Sequence, residues 1–369
     1  MHVSTDDNPT AERRHAAAAP LSKAPTHLTG PSYRTAMLGS DGDSSTIPSS
    51  QLRALRQRQQ QQHLYAAANS ITGCFSDISG RYSVDPSRVL GTGAGATVYE
   101  CEDLATGERY AVKTVAKGRR RGAGPRDLHR EVSLLSDLRD EAREGGEWRP
   151  GRCGGVVELV DLHEDSFNLH IVTELCRGGT LSDRIHPDVG GLRPEAKASR
   201  GGGLPEDVAS AVLRQVLAAL EFLHSRDICH RDVNPENILF VHPGGPGGPP
   251  GDVAAVRLVD LGSARYHHAT SFEPHMSTLV GTCPYVAPEV LRMRYDRRCD
   301  HWSLGVVSYA VMCGYPPFAG GADEEVHDAV LRGRFWFHPK HWGDVSKEAR
   351  GFVRGLMKVN ARSRMGGEA

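Results

Sequence analysis

Apolar and polar positions along the chain fall into two regimes. After Tyr82 they form short β-type runs, Arg88 to Leu90, Thr97 to Cys101 and Arg109 to Val115, separated by Gly-rich or Thr-Gly turns, which predicts three antiparallel strands. A helical segment follows from Pro125 to Arg139, with Leu128, Val132, Leu135 and Leu138 on one side. Val156 to Leu162 and Leu169 to Leu175 read as two further strands. From Pro205 the spacing becomes helical: Val208, Val212, Leu213, Val216, Leu217, Leu220 and Leu223 recur every three or four residues, behind Pro205 and the acidic pair Glu206-Asp207 that suit a helix start. Trp302 to Cys313 is apolar nearly all round, as a helix at the centre of a domain is. The fold class is therefore α+β: a small five-stranded antiparallel β lobe with one main helix, then a larger, mainly α-helical lobe. A cleft between two such lobes suits a ligand.

Composition adds a flanking region. Residues 1 to 80 are rich in Ala, Ser, Pro, Thr, Asp and Gly and bury no periodic face, so they read as a disordered or regulatory extension. Gln51 to Asn69 admits a short helix, which the polar tract Arg56 to His63 interrupts. Glycine, 41 of 369 residues, concentrates in connections. Three Gly/Pro-rich insertions, near Glu144 to Gly155, Pro187 to Gly203 and Pro243 to Gly251, lie between core elements as surface loops. A formal net charge of -1 gives no global field for nucleic acid or an anionic membrane. The basic run Lys117 to Arg121 reads as a solvated loop beyond a strand. No C-x-x-C pair, signal peptide or apolar membrane span is present, and His2 does not support myristoylation, so reduced thiols and a cytoplasmic or nuclear address are expected.

Four segments carry chemistry. Gly91-Thr92-Gly93-Ala94-Gly95-Ala96-Thr97-Val98 between two strands lets backbone N–H groups approach phosphate oxygens, although any Gly-rich hairpin looks similar. No Gly-Lys-Ser/Thr and no helix follows, which removes the P-loop and the dinucleotide fingerprint. In Tyr110-Ala111-Val112-Lys113 the two-residue period puts Ala111 and Lys113 on one face, a small residue beside a flat base and an ammonium within reach of phosphates. Helical Glu131, 18 residues on, is a credible partner for that ammonium. In His230-Arg231-Asp232-Val233-Asn234-Pro235-Glu236-Asn237 a carboxylate can accept a hydroxyl proton, and an amide oxygen five residues later can bind magnesium. About 23 residues further, Asp260-Leu261-Gly262 offers a second metal-binding carboxylate.

With Gly281-Thr282, Ala287-Pro288-Glu289 and Asp300-His301-Trp302-Ser303-Leu304-Gly305 following in order, these elements resemble the eukaryotic-type protein serine/threonine kinase signature set over residues 81–369. The resemblance implies an N-lobe and hinge at 81–176 and a C-lobe at 177–369 that lacks the last helix. It implies Mg2+ (or Mn2+) and ATP, with the nucleotide against Leu90, Gly91, Gly93, Ala96, Val98 and Ala111. By the same resemblance Lys113 is expected to bind phosphates and pair with Glu131, Thr173 to be the gatekeeper, and Glu174 to Cys176 to form the adenine-reading hinge. Asp232 is implied as catalytic base, Asn237 and Asp260 as metal ligands, Glu289–Arg364 as a buried ion pair and Asp300 as a brace for the catalytic loop. Arg231 beside Asp232 implies a cationic pocket for a loop phosphorylated by an upstream kinase at Thr270, Ser271, Ser277 or Thr278, with Thr282 instead a structural and catalytic contact. Implied partners are proteins with Ser/Thr acceptors.

Several positions depart from the pattern. Ala96 replaces the third loop glycine and Leu261 the commoner Phe. Asn234 stands where serine/threonine kinases carry a Lys that neutralises charge on the transferred phosphate, which predicts a slow enzyme; the alternative is a nucleotide-binding pseudokinase acting as scaffold or allosteric partner. Cys313-Gly314-Tyr315-Pro316-Pro317-Phe318, Gly333 to Phe337 and Trp342 to Ser346 resemble the calcium/calmodulin-dependent kinase group, including calcium-dependent and MAP-kinase-activated kinases. Thr180 replaces that group's upstream-Arg-reading Glu, leaving Glu236 as an acidic contact. No D-x-D-x-D-G calcium loop occurs in the sequence.

Overall fold

The computed structural model describes residues 70–73, 75–93, 95–117, 125–144, 153–185, 203–243, 255–267 and 275–366. The expectations for residues 1–69, for Gly118 to Arg121, for most of each Gly/Pro-rich insertion and for Thr270 and Ser271 lie outside them.

Five strands form one antiparallel sheet in the order β1-β2-β3-β5-β4: β1 (Tyr82–Gly93), β2 (Ala96–Asp103), β3 (Arg109–Ala116), β4 (Leu159–Glu164) and β5 (Asn168–Thr173). Side chains on β3 alternate between two apolar layers. Val112 packs with Tyr82, Cys101 and Val172 on the outer face, while Val115 joins the inner layer against Leu128, Val132, Leu135 and Leu138 of the Pro125–Glu144 helix. The helical period read from those four residues is thus the face that docks on the sheet. Two strand boundaries shift for long-range reasons. Val156 and Val157 leave the predicted fourth strand and bond instead to Leu258, by a parallel bridge and by Val157 N–H to Leu258 O at 3.0 Å, so they tie the lobes together. Glu174 and Leu175 lie beyond the end of β5, in the connection to the second lobe.

The second lobe is built round the Arg298–Cys313 helix, in which every residue from Cys299 to Cys313 is buried. The Glu206–His224 and Lys347–Leu356 helices pack on it, and the Trp302 ring stacks on Phe318 at 5.7 Å between centroids. Gly314 ends the central helix at φ 88°, a left-handed turn that favours glycine. Among the described residues no helix is long and apolar enough to cross a membrane. Of the N-terminal extension, residues 70–73 and 75–80 are described, and Ile71, Thr72 and Ser76 are hydrogen-bonded to the end of β4, so folded contacts reach upstream of Arg81.

Candidate active site

Strand β3 presents Lys113 on the inner face, where its Nζ donates to Glu131 Oε1 at 2.6 Å and to Asp260 Oδ1 at 2.8 Å. Glu131, 2% exposed, comes from the docked helix, and its Oε2 has no hydrogen-bond partner among the described residues. Burial alone would pull the Lys113 ammonium down; the two carboxylates outweigh it and hold the group firmly protonated. Burial would likewise raise Asp260, and the Lys113 ion pair keeps it ionised instead. Asp260 sits at φ 63°, strained for a residue with a side chain, and its Oδ1 also accepts Gly262 N–H at 3.2 Å. A Cβ at Gly262 would lie 3.0 Å from that oxygen and 3.4 Å from Glu131 Oε2, so the glycine lets both carboxylates close on the ammonium.

The segment between β6 (Ile228–Cys229) and the Pro235–Asn237 turn carries the second cluster. Asp232 Oδ1 accepts from Thr282 Oγ1 at 2.7 Å and Asn234 Nδ2 at 3.0 Å, and Oδ2 from Asn237 Nδ2 at 3.1 Å. Asn234 is buried, and its Oδ1 caps the turn by accepting Glu236 N–H at 2.9 Å and Asn237 N–H at 3.2 Å. Asn234 is therefore turned inward, because its amide satisfies both the cap and Asp232, whereas a Lys could not accept. Asn237 donates its amide N–H to Asp232, which directs its Oδ1 elsewhere; Val259 N–H bonds to Asn237 O at 2.9 Å and ties this residue to the strand leading into Asp260.

Asp300 fastens the segment from below. Its Oδ2 accepts His224 Nε2 at 2.8 Å, His230 N–H at 2.9 Å and Cys229 Sγ at 3.3 Å, and its Oδ1 accepts Arg231 N–H at 2.8 Å. Complete burial would raise its carboxyl, but these donors, His224 first, hold it well below the usual carboxylate range. Arg231, at φ 68°, bonds to Ser263 O at 2.6 Å and Tyr295 hydroxyl at 3.0 Å, and that hydroxyl donates to Thr278 O at 2.7 Å. The guanidinium is thereby already linked to the loop carrying exposed Ser277 and Thr278. Arg364 forms the anticipated pair with Glu289, at 2.6 and 3.0 Å.

At the cleft mouth, Gly91 pairs with Val98 and Gly93 with Ala96, while Ala111 faces Thr173 across β3 and β5. Leu90 is exposed and Cys176 half-buried. The Glu174 side chain does not face the cleft alone: it accepts Arg257 Nε at 2.9 Å and Glu158 N–H at 3.0 Å, bracing the connection between lobes. Thr180 caps the Leu181–Ile185 helix by accepting Asp183 N–H at 3.0 Å, which explains why a hydroxyl suits this position. Sequence reasoning missed His224, Cys229, Arg257 and Tyr295, since nothing in a local pattern marks a histidine or tyrosine that meets its partner some 70 residues away.

The donor set fits a nucleotide triphosphate with a hard divalent cation: an ammonium, a carboxylate and an amide oxygen beneath a Gly-rich hairpin. The protein kinase domain pattern matches residues 84–369. Calcium-dependent protein kinase 3 of Plasmodium berghei (strain Anka) is 32% identical over 296 residues, 80% of this chain and 46% of the relative. Calcium-dependent protein kinase 8 of Arabidopsis thaliana is 32% identical over 292 residues, 78% and 48%. A CDPK-related protein kinase of Daucus carota is 34% identical over 260 residues, 70% and 38%. The chain thus spans about half the length, or less, of these relatives. Matched by the family pattern and by these relatives over more than two thirds of its length, the chain belongs to the protein kinase family.

Proposed function

We propose that this chain is an ATP-dependent protein serine/threonine kinase, transferring the γ-phosphoryl group to Ser or Thr hydroxyls of protein substrates. The observation that carries the reading is the Lys113 ammonium held between Glu131 and Asp260, opposite an Asp232 carboxylate oriented by three donors. Magnesium, held by Asn237 Oδ1 and Asp260, would neutralise charge on the phosphates when bound. Lys113 binds and orients the α- and β-phosphates, and Glu131 fixes its position. Asp232 holds the acceptor hydroxyl and takes its proton, with Asn234, Asn237 and Thr282 preventing the carboxylate from rotating away. Catalysis in this class is mainly positioning and charge stabilisation, which suits a site that invests in orienting one carboxylate. Asn234 supplies no cation toward the transferred phosphate, so the enzyme is slow. Regulation by an upstream kinase at Ser277 or Thr278 is supported by the Arg231–Tyr295–Thr278 link.

The reading is tested by incubating the chain with magnesium-ATP and a Ser/Thr/Tyr peptide library, followed by phosphoamino-acid analysis. Phosphoserine and phosphothreonine are expected. Phosphotyrosine, or nucleotide binding with no transfer, would overturn the reading, the latter in favour of the scaffold role.

A further inference from the structure

Residues 70–73 and 75–81 precede β1 and are fastened along β4, an edge strand of the sheet. Its anchor is Glu164, the last residue of β4, whose side chain is 0% exposed. That carboxylate accepts Ser70 Oγ at 3.0 Å, Ile71 N–H at 2.9 Å, Thr72 N–H at 2.7 Å and Thr72 Oγ1 at 2.6 Å, and pairs with Lys117 Nζ at 2.5 Å. Further along, Ser76 N–H bonds to Glu164 O at 3.0 Å, the Ser76 hydroxyl meets His163 Nδ1 at 3.0 Å, and Arg81 bridges Asp161 and Asp103 at 2.6 and 3.2 Å. The segment shields a sheet edge, and most of its grip rests on one buried carboxylate that needs hydroxyl and amide protons to stay satisfied.

We propose that this segment is a latch that phosphorylation of Thr72 opens. A protein kinase moves the γ-phosphoryl group of ATP to Thr72 Oγ1: the Oγ1–P bond forms, the bond from the γ-phosphorus to the bridging oxygen breaks with its electron pair leaving on ADP, and the hydroxyl proton passes to the transferring enzyme's base. Thr72 Oγ1 then has no proton to donate. A group of charge near −2 stands where a donor stood 2.6 Å from a carboxylate, and one Lys117 ammonium faces both anions. The modified residue cannot reseat, so Ile71 and Thr72 N–H also leave Glu164 and the β4 edge is uncovered.

The test is amide hydrogen exchange of the full chain by mass spectrometry, comparing unmodified protein with protein carrying phosphothreonine installed at position 72 during translation. Exchange across residues 70–80 is expected to rise by about 30-fold or more in the phosphorylated chain, with the Arg298–Cys313 helix unchanged. Glu164→Gln should accelerate the same residues, and Thr72→Ser should keep them slow. Unchanged or slower exchange in the phosphorylated chain, as Lys117 pairing with the phosphate would give, overturns the latch. Protection surviving in Glu164→Gln also overturns it. The readout requires no phosphoryl transfer by this chain, so it stands apart from the proposed activity.

Discussion

Replacing Asn234 with Lys sets two effects of calculable sign against each other. The amide oxygen caps the Pro235–Asn237 turn through two N–H groups, and Lys cannot accept either, a loss of about 1 kcal/mol. For a chain of this length that lowers Tm by about 2 °C. The ammonium retains a donor for Asp232, at present 3.0 Å from Asn234 Nδ2, and its longer stem extends past the carboxylate toward the phosphate being transferred. One positive charge aimed at that group contributes about 10²-fold in rate, roughly 2.7 kcal/mol of transition-state stabilisation. The rate term exceeds the stability term, so Asn234→Lys should be slightly less stable and about 10²-fold faster in kcat, with KM for ATP little altered. Steady-state transfer at saturating magnesium-ATP, with a thermal melt on the same sample, measures both. A variant that melts normally but turns over no faster than the parent refutes the reasoning, since Asn234 would then carry no catalytic deficit.

Other substitutions give separable outcomes. Asp300→Asn removes a charged acceptor shared by His224, Cys229, His230 and Arg231, and should lower kcat by 10²-fold or more while ATP affinity, read by titration, changes little. Arg364→Met strips the half-buried Glu289 of its buried guanidinium partner and should destabilise by about 3 kcal/mol in denaturant melts, whereas losing an exposed pair such as Arg88–Asp85 should leave the melt almost unmoved. Gly262→Ala places a methyl 3.0 Å from Asp260 Oδ1 and should weaken ATP binding and kcat together. Glu164 is held down to about 2: burial would raise it, but Lys117, Thr72 and the Ile71 and Thr72 N–H groups prevail. Its folded pKa lies below the unfolded one, so its contribution, on the order of 3 kcal/mol, is complete above about pH 4.5 and is lost as pH falls toward 2. A stability–pH profile that is flat across that window in the parent, or unchanged in Glu164→Gln, would contradict this.

What the sequence disclosed follows the range of the forces involved. Strand and helix periods are local, and Leu128, Val132, Leu135 and Leu138 face the sheet as their spacing required. Lys113, Glu131 and Asp260 come together, as do Asp232 and Asn237, so the clustering expected from their ordered motifs is seen in the geometry. Strand boundaries were less so: Val156 looks like sheet, and only the distant Leu258 draws it to the other lobe. Asn234 could be recognised as a missing charge, but not as a turn cap, because that role depends on backbone N–H groups with no residue signature. The Ser70–Thr72 anchor was invisible for the same reason, a polar segment gripping a carboxylate some 90 residues away.

The central claim is that Asp232 serves a site competent for phosphoryl transfer. Its most direct test is the rate of labelled γ-phosphate transfer from magnesium-ATP to a Ser/Thr peptide by the parent chain and by Asp232→Asn, with ATP affinity measured on both. Measurable transfer by the parent and a loss of 10³-fold or more in the variant, at equal ATP affinity, is the result the account predicts. Equal background signal from both, with ATP still bound, would contradict it.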